Sequence, residues 1–378
     1  MKIPFNRPAV TGDEQRFLAE AIASPRLSGD GPFCQRCQAW LQQHLDCRRA
    51  MLTGSCTHAL EMAALLAGVG PGDEVVVPSY TFVSSANAFA MRGASIVFVD
   101  VEPFSMNVQV EAYAQAIGPR TKVLVAVHYA GASCDMAALA ELASKHGLLL
   151  VEDAAQAIGA SCHGRRLGSF GHLATFSFHE TKNLTSGGEG GALIINDDRL
   201  VAGAEIVREK GTDRSRFFRG QVDKYTWVGL GSSYLPSELQ AAYLWAQLQH
   251  LDRITADRMR QWQTYEAAFA PLVECGLIEL LRIPIWNRHN AHLFAIKLPN
   301  LERRGRFIAH LAAREVMAVF HYVPLHSSPA GMRHGRLHGI DRWTTSESDR
   351  LVRLPLWYGK PQDADAQVVA AVLSFFSA

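Results

Sequence analysis

Between about residue 50 and residue 200, short apolar runs alternate with stretches of helical period. Six of the runs have strand length: Val75–Val77, Ile96–Val99, Val123–Val127, Leu148–Val151, Ala174–Phe178 and Ala192–Ile195. Met136–His146 reads as an amphipathic helix closed by Gly147, a residue able to take the left-handed conformation of a helix end. Pro71-Gly72-Asp73 and Gly93-Ala94-Ser95 mark turns ahead of strands. Strands alternating with helices predict an α/β fold with a mainly parallel sheet and crossover helices. Further on, Leu239, Ala242, Leu244, Leu248 and Leu251 recur at helical spacing and predict one long helix over 236–270.

Composition narrows the reading. A chain of 378 residues is long for a single core, so a large and a small domain are expected. Its 37 basic and 36 acidic residues leave a formal charge of +1, which argues against a general nucleic-acid or anionic-membrane surface and leaves room for a local basic pocket. Seven cysteines, odd in number and scattered, do not form a disulfide framework. Cys34 and Cys37 make a C-x-x-C without a second pair at zinc spacing, so no metal is expected. The N-terminus lacks a signal-peptide core, and no segment approaches the ~20 apolar residues of a membrane span. A cytoplasmic protein is expected. Lys2, Lys122, Lys145, Lys210, Lys297 and Lys360 read as solvated surface charges.

Lys182 stands apart by its context. Asp153 lies 29 positions before it, at the end of the apolar run Gly147–Val151 and within Glu152-Asp153-Ala154-Ala155-Gln156. Phe176-Ser177-Phe178-His179-Glu180-Thr181-Lys182-Asn183 surrounds the lysine, and Ser186-Gly187-Gly188-Glu189-Gly190-Gly191 follows, where backbone can approach a ligand closely. A pyridoxal phosphate enzyme needs such a set: an amine to hold the aldehyde covalently, and a carboxylate to keep the ring nitrogen protonated. Thr53-Gly54-Ser55-Cys56-Thr57 leads into a helical pattern, which suits phosphate binding, although serine and threonine also simply cap helices. No G-x-G-x-x-G follows the first strands, which disfavours a dinucleotide-binding dehydrogenase.

Asp-Ala-Ala-Gln and Phe-Ser-Phe-His-x-x-Lys, in this order and spacing, resemble the DegT/StrS-type sugar aminotransferases, a fold-type I family. Ser55–Leu60, Pro78-Ser79-Tyr80-Thr81-Phe82, His128-Tyr129-Ala130-Gly131 and Tyr322-Val323-Pro324-Leu325-His326 extend the resemblance over most of the chain. Phe218–Trp227 and Gly231–Leu235 are similar to the subgroup that makes dTDP-4-amino-4,6-dideoxygalactose. The resemblance implies a large domain over 1–250 and a small α+β domain over 251–378, joined by the long helix. It also implies a homodimer whose active sites lie at the subunit interface.

It further implies roles for individual residues. Lys182 carries the cofactor and shuttles the proton. Asp153 pairs with the pyridinium nitrogen, whose protonated form a nearby negative charge favours. Gln156 faces the phenolic oxygen, Phe82 stacks on the ring, and Ser55, Cys56, Thr57 and Ser177 hold the phosphate. Many relatives place an asparagine of the 214–234 region on the neighbouring subunit's phosphate; Ser233 stands at that position here. Lys224, Tyr322 and His326 are substrate candidates, while His179, His128 and Tyr129 lie near the site without a catalytic role. Relatives with histidine in place of the lysine are dehydratases, so Lys182 favours transamination. The implied substrates are L-glutamate and dTDP-4-keto-6-deoxyglucose; alternatives are another nucleotide keto sugar, amination at C3, or a non-enzymatic sensor, which Lys182 disfavours. No arginine can be assigned to the glutamate carboxylate.

Overall fold

A computed structural model describes residues 3–377, so Lys2 falls outside the described residues. Its main sheet comprises β1 (Arg49–Thr53), β2 (Glu74–Pro78), β3 (Ser95–Val99), β4 (Thr121–Val127), β5 (Leu149–Asp153), β8 (Leu173–Ser177), β9 (Gly191–Ile195) and β13 (Gly335–Leu337), in the order β1-β9-β8-β5-β4-β2-β3-β13. β9 runs against both its neighbours and the other pairings are parallel. All six expected strands are present, for a local reason. Val75 and Val77 pack in one core while Val76 packs in the other, and Val123 and Leu124 divide in the same way. With both faces covered by helices, the strands become continuous apolar runs.

Two strands were not anticipated. β1 is a short mixed segment that pairs with β9, Leu52 opposite Ala192. β13 comes from far along the chain and extends the sheet beside β3. Gly335 begins it because a Cβ there would lie 2.4 Å from the Ile96 carbonyl oxygen.

The expected helix over 236–270 is two helices, Glu238–Leu248 and Leu251–Glu274. His250 leaves helical geometry at the break (φ −113°, ψ 16°), and its Nε2 lies 2.8 Å from Asp13 Oδ2. Leucine spacing continues smoothly across 248–251, so periodicity alone does not reveal the break. Helix Met136–His146 has the expected bounds, capped by Asp135 and ended by Gly147 in the left-handed region.

A second antiparallel sheet contains β10 (Glu279–Leu280), β12 (Phe294–Lys297) and β14 (Leu351–Leu354), in the order β10-β12-β14. A small third sheet orders β11 (Asn287–Arg288), β6 (Ser161–Cys162) and β7 (Arg165–Arg166). Phe269, Phe294, Phe307, Val352 and Val368 help fill the core behind the second sheet. Here the expectation of solvated lysines fails twice. Lys297 is buried and pairs with Glu347 at 2.7 Å; Lys360 is buried and pairs with Asp365 at 2.9 Å. Glu347 lies 50 positions from Lys297, and although Asp365 is only five residues beyond Lys360, composition says nothing about the burial of either pair. No helix among the described residues is long and apolar enough to cross a membrane.

Candidate active site

A cleft of about 760 Å³ opens at the carboxyl ends of the parallel strands, the usual ligand position in open α/β sheets. One end is formed by the turn after β1. Ser55 caps helix Cys56–Leu66, accepting from the His58 N–H at 3.1 Å. A helix start leaves early N–H groups without internal acceptors and carries the positive end of the dipole. Gly191 lets β9 pass beneath this turn, since a Cβ there would lie 2.4 Å from Cys56 N. Cys56, Thr57 and Ser177 also line the cleft, and Thr57 Oγ1 lies 2.8 Å from Ser84 Oγ. Burial, with Asp153 nearby, raises the Cys56 thiol pKa, so the sulfur stays protonated.

Asp153 ends β5. Its Oδ2 accepts from Ser85 Oγ at 2.6 Å and its Oδ1 from the Ala155 N–H at 3.2 Å. Thr81 Oγ1 lies 2.8 Å from Ser85 Oγ, so the serine is itself held while it donates. Phe82 lines the same cleft with 54% of its surface exposed, a flat apolar face open to a ligand. Gln156 is held at both ends: Oε1 accepts from the Ala130 N–H at 2.7 Å and Nε2 donates to the Tyr322 hydroxyl at 2.9 Å.

Lys182 lies in the loop between β8 and β9, its N–H donating to His179 O at 2.9 Å. Lys182 lines the cleft, and desolvation of its amine lowers its pKa. Cys56 and Asp153 work in the opposite direction, while the Arg353 charge adds to the lowering. The neighbouring Asn183 anchors this loop. Its Nδ2 donates to Asn290 O at 2.8 Å and its Oδ1 lies 2.9 Å from His292 Nδ1. Asn290 in turn donates from Nδ2 to Gln156 O and Ile158 O, both at 2.9 Å. The lysine loop and the segment following Asp153 are thereby tied to one buried amide.

Behind Asp153, Glu152 and His128 form a fully buried pair at 3.0 Å. Burial opposes the charge on His128, but the Cys134 side chain and the Glu152 carboxylate outweigh it and lift the pKa to about 9. Glu152 also accepts from the N–H groups of Gly168, Phe170 and Gly171 at 2.8, 2.7 and 2.7 Å.

The opposite wall comes from the C-terminal part of the chain. His321 and Tyr322 stack with ring centroids 3.7 Å apart, and Tyr129 OH lies 2.8 Å from His321 Nδ1. Arg353 of β14 also lines the cleft. Its spacing from other motifs carries no signal, and neither His321 nor Arg353 was singled out in the sequence. The cleft thus brings together Ser55, Cys56, Thr57, Phe82, Asp153, Gln156, Ser177, Lys182 and Tyr322. Three candidates lie elsewhere. His326 is pinned between Ser79 Oγ (2.6 Å) and Asp341 Oδ2 (3.2 Å). Lys224 sits on an exposed loop, and Ser233 lines a separate pocket of about 350 Å³ with Arg26, Lys210 and Arg214.

These residues fit pyridoxal phosphate. Asp153 is a buried carboxylate with no ion-pair partner among the described residues, as a pyridinium nitrogen requires. At the phosphate end stands the helix N-terminus, and a lysine of lowered pKa faces the same space. The cleft volume is also within the ~300–1,000 Å³ of small-molecule sites.

Known proteins agree with this geometry. The chain is 32% identical over 370 residues to a pleiotropic regulatory protein of Geobacillus stearothermophilus, covering 96% of this chain and 94% of that protein. A GDP-perosamine synthase of Caulobacter vibrioides is 34% identical over 332 residues, covering 87% and 86% of the two chains. The structure of DesV from S. venezuelae, solved in complex with a ketimine intermediate, superposes with a TM-score of 0.88 at 32% identity over 99% of this chain and 98% of that one. The sequence pattern of the DegT/DnrJ/EryC1/StrS aminotransferase family matches residues 8–373. The chain therefore belongs to that family, as a pyridoxal phosphate-dependent sugar aminotransferase of fold type I.

Proposed function

We propose that this enzyme transfers the amino group of L-glutamate to the C4 ketone of dTDP-4-keto-6-deoxyglucose, giving dTDP-4-amino-4,6-dideoxygalactose. The observation that carries amino transfer is the Lys182 amine, its pKa lowered by burial and its surroundings shared with Asp153. An amine of lowered pKa is available unprotonated to take a proton from the donor carbon and return it elsewhere. Pyridoxal phosphate, when bound, supplies the electron sink that makes this carbon acidic. Asp153, oriented by Ser85, holds the ring nitrogen protonated. The start of helix Cys56–Leu66 and Ser177 anchor the phosphate, Phe82 covers one ring face, and Gln156 stands near the phenolic oxygen.

The acceptor rests on the subgroup resemblance of Phe218–Trp227 and Gly231–Leu235. Similarity to a GDP-perosamine synthase makes a GDP-linked keto sugar the alternative. The working unit is a homodimer. In support, the segment around Arg214–Tyr234 leaves Phe218 69%, Trp227 75% and Leu230 61% exposed, an apolar surface suited to a second copy of the chain. Across that contact Ser233 reaches the second copy's phosphate site and Lys224 its nucleotide. A domain division near residue 250 is consistent with the separate core behind the second sheet.

The test incubates the protein with pyridoxal phosphate, L-glutamate and dTDP-4-keto-6-deoxyglucose, followed by NMR of the sugar. An axial C4 amine is expected, and Lys182→Ala should lose turnover by ~10³-fold or more while keeping its near-UV circular dichroism. Conversion of the cofactor by glutamate without sugar amination would discard the acceptor and retain the reaction class. Substantial turnover by Lys182→Ala would remove the lysine from its role.

A further inference from the structure

His292 stands two residues before β12, and its backbone is fixed on both sides. Its N–H donates to Asn290 Oδ1 at 3.1 Å, and its carbonyl accepts from Arg258 Nη2 at 2.6 Å. The ring is fixed as well, since Nδ1 lies 2.9 Å from Asn183 Oδ1. That contact decides which ring nitrogen carries the proton. The other end of the Asn183 amide faces the Asn290 carbonyl oxygen at 2.8 Å, and an oxygen that only accepts requires the NH₂ there. Asn183 Oδ1 is therefore the atom facing the imidazole, and the ring donates to it through Nδ1–H.

Burial, and then the charges of Lys182, Arg258, His321 and Arg353, hold the His292 pKa well below 6.5, so the ring is neutral. A neutral imidazole with its proton on Nδ1 presents a bare lone pair at Nε2. That nitrogen has no hydrogen-bond partner among the described residues and, unlike His128 Nδ1, is not sealed from solvent. His292 lines the same cleft as Lys182. Neighbouring acceptors there are already engaged: Asp153 by Ser85 and the Ala155 N–H, Gln156 Oε1 by the Ala130 N–H.

We propose that His292 is the positioning residue for the Lys182 amine, its Nε2 accepting a hydrogen bond from that amine whenever the lysine is free of the cofactor. This rests on the reading of Lys182 above as the proton shuttle and adds what holds it. Two observations favour the lysine over a substrate hydroxyl as the donor. Asn183, which orients the ring, is the residue after Lys182, so ring and lysine are anchored in one loop. The lysine's charge is also the largest of those acting on His292. A free lysine side chain samples many rotamers, and a fixed acceptor confines it. The bond is charge-assisted in the ammonium form, so His292 steadies Lys182 between taking the donor's proton and returning it. The proton stays on Nζ, because burial keeps the imidazole a poor base.

Two substitutions separate bracing from positioning. His292→Asn places an NH₂ near the Nδ1 position, able to keep the bond to Asn183, and has no acceptor at Nε2. His292→Gln places a carbonyl oxygen near Nε2 instead. The first readout needs no turnover: the cofactor-free protein is labelled with acetic anhydride across pH, and the Lys182 peptide is read by mass spectrometry. Its labelling midpoint should fall by about one pH unit in His292→Asn, where a bond to the charged form is lost, and by no more than about 0.3 in His292→Gln. In the holoenzymes, the L-glutamate half-reaction should slow about 10- to 100-fold in His292→Asn with half-saturation within about threefold, and His292→Gln should recover part of the rate. An unmoved midpoint in His292→Asn, or a full fall in His292→Gln, overturns the proposal, so either variant alone decides it. A weaker keto-sugar KM with an unmoved midpoint likewise overturns it and gives the lone pair to the substrate. Should Lys182→Ala keep its turnover, the shuttle reading fails, while the labelling midpoint still decides whether His292 holds the amine.

Discussion

Glu152→Gln is the most informative perturbation of the scaffold behind the site. The carboxylate has four donors around it: Oε1 takes the N–H groups of Phe170 and Gly171, and Oε2 takes Gly168 N–H and His128 Nε2. A glutamine oxygen can keep two of them. Its NH₂ then faces two donors, and even if His128 turns neutral and accepts, the Gly168 N–H is orphaned. Breaking a buried charged pair costs about 3–5 kcal/mol. The rise of the His128 pKa from 6.5 to about 9 corresponds independently to about 3 kcal/mol. Because that pKa is raised by folding, the contribution is complete below pH 6.5 and is lost as pH climbs through 9. Glu152 has the opposite sign: its pKa is lowered from 4.5 against the cost of its burial, so its contribution is complete above pH 4.5 and lost in acid. Hydrogen exchange of the 168–171 amides, corrected for intrinsic rate, measures the local opening. Wild type should lose about 100-fold protection between pH 6 and pH 9. Glu152→Gln should lose about that much already at pH 6 and show little further decline. Protection in the variant within about threefold of wild type at pH 6 would refute the reasoning.

Two substitutions test how the structure is braced. Gly131 has φ +77°, and a Cβ there would lie 2.0 Å from Asn290 Oδ1. Gly131→Ala should therefore cost about 3 kcal/mol or more, from left-handed strain and two displaced Asn290 bonds. Gly68→Ala, at φ +62° with nothing within 4 Å, should cost only about 1–2 kcal/mol. Urea midpoints compare the two, and equal losses would exclude the clash as the cause. Lys297→Met leaves Glu347 buried with only Arg350 at 3.0 Å, and should lose about 3 kcal/mol. Adding Glu347→Leu should recover much of that in the same denaturation assay; a double variant as unstable as the sum of the singles would count against an isolated pair.

Strand positions and the core could be read from the sequence because they depend on neighbours one or two residues away. Val75, Val76 and Val77 announce a strand covered on both faces whatever the remaining chain does. Asp153 and Lys182 were readable for a similar reason, since each ends or follows a strand within a motif of a few residues. The α/β class, the cofactor and the family follow from these local signals.

What the sequence left open depends on groups brought together from far apart. Ser85 and Asp153 are 68 positions apart, and Lys297 and Glu347 are 50 apart. No local pattern says that either lysine of the second core is buried, because a buried charge is tolerated only once its partner is placed. The break at His250 depends on Asp13, 237 positions away. β13 joins the sheet only because β3 offers it a free edge. Arg353 looks like one arginine among many until the fold turns it into the cleft. The sequence by itself therefore determined the six central strands and picked out the acid and the lysine that meet in one cleft. The tertiary structure decided which charges are buried and which are paired, since those depend on long-range contact and exclusion of water.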